Sequence, residues 1–421
     1  MSDADATTAR PLGDLDPCGS RQAGRRSGVT LTDAGPVVGL ADGRVRAYGD
    51  DGRRWTADGA GSAVTLVPFD DADGVLVGER SARGGIRLLA DGAERWRHDA
   101  ADVLGGPTKD TRFFLPMVVD AAVVGDTAYV AARRYERRAG GSASEASGGS
   151  SDAATSDGDR HFESAVYALA ADGSVRWRYD ADASVISVAP LDGGVAVAYN
   201  RCPGAHDDGV VVLDGDGAER WSWDPTDGAG ATTDRRVGDV ATLDGDVVAA
   251  SHADYRGYRL AAGSVRWRVD LGRPTARGGD RVYAYPTHVH ATGAGAVFLT
   301  GNSFPQEGRA TDARHPDEQS AAGHAPDGTE RWRAPVGGFA HEIATDGRRL
   351  LVPVAQHFRD RDPAVHGWRL FDVADGTVAA GDCDGVVTAA ALDGDRRAVV
   401  EEPVAYHDDG TVRGRYALRT P

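Results

Sequence analysis

One short phrase returns throughout this chain: a turn of Asp-Gly type, two or three residues, then Trp followed by a polar stretch. It reads DDGRRW at Asp50 to Trp55, ADGAERWRHD ending at Asp99, ADGSVRWRYD ending at Asp180, GDGAERWSWD ending at Asp224, AAGSVRWRVD ending at Asp270 and PDGTERWRAP ending at Pro335. Tryptophans at equivalent places, recurring about every 40 to 50 residues, mean an array of one small unit, and that period is the signature of propeller blades. A Trp held at one register of the outer strand is expected to pack each blade on its neighbour rather than to mark a ligand site.

Between one Trp and the next turn lie three further strand candidates. In the second unit these are Ser62 to Asp70, Gly74 to Glu79 and Ile86 to Asp91, followed by Glu94 to Asp99 with its Trp96. Each is short, rich in Val, Leu and aromatics, and bounded by Gly and Asp, as antiparallel strands joined by tight turns require. The second strand of each unit can be counted along the chain, opening at Val37, Val75, Ala128, Val195, Val247, Ala296, Leu350 and Ala398. The expected fold is therefore all-β: an eight-bladed β-propeller of four-stranded antiparallel blades. The last hairpin lacks a Trp strand, so closure is expected through pairing of N- and C-terminal strands, which leaves no exposed sheet edge. Residues 1–27 then form an N-terminal segment, partly disordered or lending an outer strand to the last blade, and residues 28–421 form one propeller.

The unit as a whole, seen in AVYALAADGSVRWRYD from Ala165 to Asp180, resembles the pyrroloquinoline-quinone (PQQ) type propeller repeat, the fold of quinoprotein dehydrogenases and of BamB-like assembly factors. The resemblance spans nearly the whole chain and speaks to fold; the same propeller hosts many activities. The seventh unit departs from it, with Val378 where Trp is expected, which implies looser docking there. Quinoprotein dehydrogenases carry a calcium-bound quinone and often an adjacent Cys pair, whereas Cys18, Cys202 and Cys383 are isolated.

The formal charge is −17, with 64 acidic residues against 47 basic ones. Lys109 is the sole lysine. Asp-rich, Lys-poor composition points to a haloarchaeal type of protein, kept soluble in salt by its carboxylates. It argues against nucleic acid as partner, because phosphate binding needs basic patches. The thiols are too few and too scattered for a disulfide framework or zinc knuckle. No secretory h-region and no apolar run of membrane-spanning length are read in the sequence, so a cytoplasmic, monomeric protein without membrane insertion is the expectation.

Function is expected where the repeats differ, since insertions in one connection accumulate on one face. The longer ones fall between second and third strands, at about 133–164, 200–209, 252–257, 301–321, 355–367 and 402–410, with a low-complexity stretch at about 139–160 read as disordered. Ten of the twelve histidines lie in these insertions or on inner strands, which suggests a binding face. Alignment on the Asp-Gly turns places Asp120, Ser187, Asp239, His288, His341 and Thr388 at one level of the channel. The candidate ligand or partner face comprises Asp120, Arg133, Asp239, His252, His288, His290, His341, Glu342, His357 and His366. His288 and His290, two apart and so on one strand face, are with His341 the candidate metal ligands. No zincin, nucleophile-elbow, P-loop or dinucleotide motif occurs, and Asp-Gly runs near Asp214 and Asp382 fit turns better than calcium loops. The resulting expectation is a non-catalytic platform for a protein or small ligand with no cofactor; the alternative is a lyase or dehydrogenase using a metal or quinone in the funnel.

Overall fold

The computed structural model of the protein describes residues 8–19, 24–137, 160–226, 234–308, 310–357, 359–406 and 410–421. Within them the chain is a succession of antiparallel sheets, each built as inner strand, second, third and outer strand. The second unit is representative: Ser62–Phe69, Gly74–Arg80, Gly85–Ala90 and Ala93–Asp99, within a residue or two of the sequence expectation. Every second-strand opening counted above lies in a strand that pairs with an inner strand. Most of the low-complexity stretch lies outside the described residues.

The outer strands carry the six repeated tryptophans, all half-buried. Each indole lies against the next unit's turn. Trp96 Nε1 donates to the Ala171 carbonyl at 3.0 Å, Trp177 to Gly215 at 2.9 Å, Trp267 to Pro326 at 2.9 Å and Trp332 to Val373 at 3.1 Å. The ring faces the turn glycine: a Cβ on Gly217 would sit 2.8 Å from the Trp177 ring, and the same Gly has φ +82°. The Asp-Gly turn is thus required twice over, for its left-handed backbone and for room to receive an indole. Valine and alanine from facing sheets fill the rest, as where Val195, Val197 and Val211 meet Val166 and Ala168. In the seventh unit Val378 is 54 % exposed and packs no such turn.

The chain ends meet in one sheet. Thr8–Pro11 pairs antiparallel with Ala417–Thr420, which pairs in turn with Arg396–Glu402. A second tie is the parallel pairing of Cys18–Gly19 with Val404–Ala405. A third is polar: Arg26 and Ser27 reach the fully buried Glu402, at 2.7 and 2.9 Å, and Ser27 also meets the Tyr416 hydroxyl at 2.8 Å. A buried carboxylate stays charged at tolerable cost only when paired in this way. The N-terminal segment therefore completes the last sheet.

Trp177→Ala should destabilise the protein by about 2 kcal/mol, below the ~3–5 kcal/mol lost with a fully buried ring because the indole is half-buried. Gly217→Ala should cost at least about 1 kcal/mol. The double variant should lose less than the sum, since the clash disappears with the ring. Val378→Ala should stay within about 0.5 kcal/mol. Denaturant midpoints at fixed salt test all four.

Candidate functional site

Strand direction sorts the surface into two faces. The Asp-Gly turns emerge on one; the starts of the inner strands and the connections between second and third strands share the other. All the candidate residues proposed from sequence belong to this second face or to the channel beneath it. The structure gives them two different fates.

In the channel, a bulge interrupts most inner strands just before one level, and Thr65, Asp120, Ser187, Asp239 and His288 follow it. Asp120 accepts from Val188 N at 2.8 Å, Asp239 from Val289 N at 2.9 Å, and Glu342 from Ala390 N at 2.8 Å. Each carboxylate thereby clasps the inner strand of the following unit. Two of the sequence alignments shift by one residue in consequence. Glu342, not His341, takes the clasp position, and Ala389 holds the level assigned to Thr388, which is fully buried and donates to Glu402 at 2.8 Å. These shifts follow from the irregular 339–343 segment and from the bulge at Thr388, neither of which has a signature in the repeat.

The histidines are mostly buried, with Nε2 of His290 and of His341 meeting no hydrogen-bond partner among the described residues. His288 lies 3.6 Å from Asp239 and faces the Ala340 carbonyl at 3.3 Å. His341 packs edge-on against Phe339, and burial, then Arg25 and His288, lower its pKa to about 3. Burial likewise lowers His290 to about 4. His252 accepts at Nδ1 from Asn200 Nδ2, 2.9 Å away, and is also lowered to about 3, chiefly by burial. His357 and His366 are buried, the first facing Glu318 at 3.5 Å and the second bonded to Tyr406 and the Asp384 carbonyl. His288, His290 and His341 do not converge: among the described residues no group of three or more His, Cys, Asp or Glu is disposed to hold a metal ion. The three cysteines are free and buried. His407 and Phe358 lie outside the described residues.

The exposed part of this face is built by two long hairpins. The first, Thr127–Arg137 with Arg160–Ala170, overshoots its neighbours. The second, Asp280–Thr292 with Gly295–Pro305, does the same. The expectation of loops is corrected here: the start and end of the 133–164 insertion, and the start of the 301–321 one, continue the ladder. On the second hairpin Tyr283, Tyr285 and Phe304 gather with Tyr255, ring centroids 4.4 to 6.0 Å apart. Arg235 sits 4.5 Å above the Tyr285 ring. These rings are half-buried and offer apolar faces with polar tips, which suits contact with another molecule.

Beside the first hairpin is a cavity of about 520 Å³. Arg133, a candidate because of its insertion, lines it and donates to Ser184 Oγ at 2.5 Å. The loop before Met117 brings Lys109, Arg112 and Phe113 to the opposite wall. Sequence reading missed this loop because it joins outer and inner strands rather than second and third. Its one signal was the solitary lysine.

A family model described as outer membrane protein assembly factor BamB matches residues 131–303. The crystal structure of BamB from Moraxella catarrhalis is similar over 93 % of this chain and 96 % of that one, with a TM-score of 0.55 at 16 % identity. No curated protein matches the sequence.

Burial raises the Asp120 carboxyl to about 6, with Val188 N–H opposing and Asp239 reinforcing the shift. Because the folded state then holds a proton that the unfolded chain releases near pH 4, this group makes stability fall as pH rises from about 4 through about 6. Asp120→Asn should flatten that part of the profile relative to wild type in denaturant titrations at several pH values. An unchanged slope would mean that the group ionises normally. On the strength of its repeat, its sheets and these two likenesses, the fold is a β-propeller of the PQQ-like, BamB-like kind.

Proposed function

We propose that this chain is a non-catalytic, cytoplasmic binding platform built on a closed ring of eight blades, and that it docks a protein partner or small ligand on the face carrying the long hairpins. The BamB-like fold is that of a protein-interaction scaffold in general, which agrees with this reading without specifying a partner. Packing of Gly28–Thr32 against both Ser62–Phe69 and Val386–Asp393 supports the closed ring. Acid-rich composition supports a salt-adapted, haloarchaeal setting.

One observation carries the reading. Three carboxylates of the channel, Asp120, Asp239 and Glu342, are engaged in clasps between sheets, while the aromatic cluster of Tyr255, Tyr283, Tyr285 and Phe304 stands partly open on and beside the second long hairpin. Aromatic side chains beside an Arg are what interface hot spots are made of, because they bury much area at small entropic cost. A working catalytic site would instead spend its titratable groups on substrate.

The test is cross-linking capture from the source cells with wild type and with Tyr283→Ser/Phe304→Ser. A specific partner or ligand held by wild type should fall at least tenfold in the double variant and remain with Arg396→Ala, which alters the opposite face. Equal capture by all three would remove the aromatic cluster from the reading.

A further inference from the structure

The first long hairpin sorts its charges with period two. Arg133, Tyr135 and Arg137 on one strand and Arg160 and Phe162 on the other point into the 520 Å³ cavity. The intervening residues point away, and there the carboxylates are found: Glu136 pairs with Arg134, and Glu163 with His161. Alternation along a strand makes this separation automatic once the residues are placed. Lys109 and Arg112 enter from the loop, Arg80 and Arg201 from the adjoining sheets. Among the described residues no Asp or Glu lines the cavity, in a chain whose acids outnumber its bases.

Two of these cations, Arg80 and Arg133, are held by neutral groups. Arg133 donates to Ser184 Oγ and the Val185 carbonyl, and Arg80 to the Arg25 carbonyl and Met117 Sδ. Among the described residues neither meets a carboxylate. Burial first, then neighbouring guanidiniums, lower both to about 10, and a bound anion would offset that desolvation. Arg201 differs in having Asp234 at 2.9 Å. The remaining wall is aromatic: Tyr135 lies between Phe114 and Phe162, centroids 5.2 and 5.1 Å away, and Phe113 is 64 % exposed under the Arg112 guanidinium. The volume falls in the range of small-molecule sites.

We propose that this cavity binds a small organic polyanion that carries a planar ring, its negative groups being phosphate or carboxylate. The guanidiniums of Arg80 and Arg133 receive the anionic groups by charge-assisted hydrogen bonds, and the ring stacks beside Phe113 and Phe114. The assignment names a ligand class for the platform read above and rests on that reading for its role, though binding itself can be measured without any partner.

The experiment is calorimetric titration of the full chain, at the lowest KCl concentration that keeps it folded, with ATP, trimesate, tripolyphosphate and adenosine as probes. ATP, trimesate or both should bind at one site at least tenfold more tightly than tripolyphosphate or adenosine. Affinity should weaken as KCl rises, because screening shortens the reach of the cluster. Binding of ATP alone assigns a phosphate ligand, and of trimesate alone a carboxylate one. Arg133→Gln and Lys109→Glu should each weaken binding at least tenfold; Lys109 is exposed, so its variant remains decisive where the other fails to fold. Absence of binding by both ring-bearing anions, parity with tripolyphosphate, or unchanged affinity in Lys109→Glu overturns the proposal. Loss of partner capture in the Tyr283 and Phe304 variants with ATP or trimesate binding intact separates this site from the aromatic one.

Discussion

An indole laid on a glycine turn is the contact on which the sheets depend. A four-stranded sheet buries too little on its own to be stable, and its faces must be covered by neighbours. Trp96, Trp177, Trp267 and Trp332 meet this need in the same way, each closing over a left-handed turn and donating to a carbonyl within it. The hydrogen bond contributes about 1 kcal/mol and fixes orientation; the ring supplies most of the buried area. Because the contact is made on the outer rim, it sets spacing without occupying the inner strands.

The inner strands are joined by different means. Asp120, Asp239 and Glu342 reach across to backbone N–H groups of the following unit, satisfying donors that an inner strand turns toward the channel rather than to its ladder partner. Such clasps explain why acidic residues can sit in a confined channel beside one another, and why His288 and His341 serve packing. With rim and channel both engaged in holding the sheets, variation is left to the hairpins that overshoot them. There strand alternation continues to act, gathering cations on one side of the 133–137 segment and the Arg134–Glu136 pair on the other.

Much of the fold was legible because it repeats. A Trp at constant distance from an Asp-Gly turn exposes the unit, and Val- and Ala-rich runs expose its second strand. The site was less legible for a physical reason: it lies where the repeat is interrupted. Histidine clustering pointed to the face that carries the long hairpins, yet His357 and His366 are buried there and bonded within the protein. Titratable residues in sequence do not reveal whether they face water or neighbours. Arg133 was placed on the face correctly as a position, but its partners in the cavity come from the 105–116 loop and from an adjoining sheet, a proximity created only by folding. The slip between His341 and Glu342 has the same origin, since irregular backbone carries no periodicity to align.

Both ends of the chain belong to a single sheet, and this imposes an order in time. During synthesis Thr8–Pro11 emerges long before its partner Ala417–Thr420 and at first finds no strand to join. The intervening sheets can stack one upon another as they appear, each Trp meeting its turn soon after both exist. The buried Glu402, whose partners Arg26 and Ser27 precede it by most of the chain, becomes available only after the intervening sheets. A chain that lacks Ala417–Thr420 therefore keeps an unpaired edge and an uncovered Thr8–Pro11 strand, so the sheet that joins the two segments is also the one that can form only after the others.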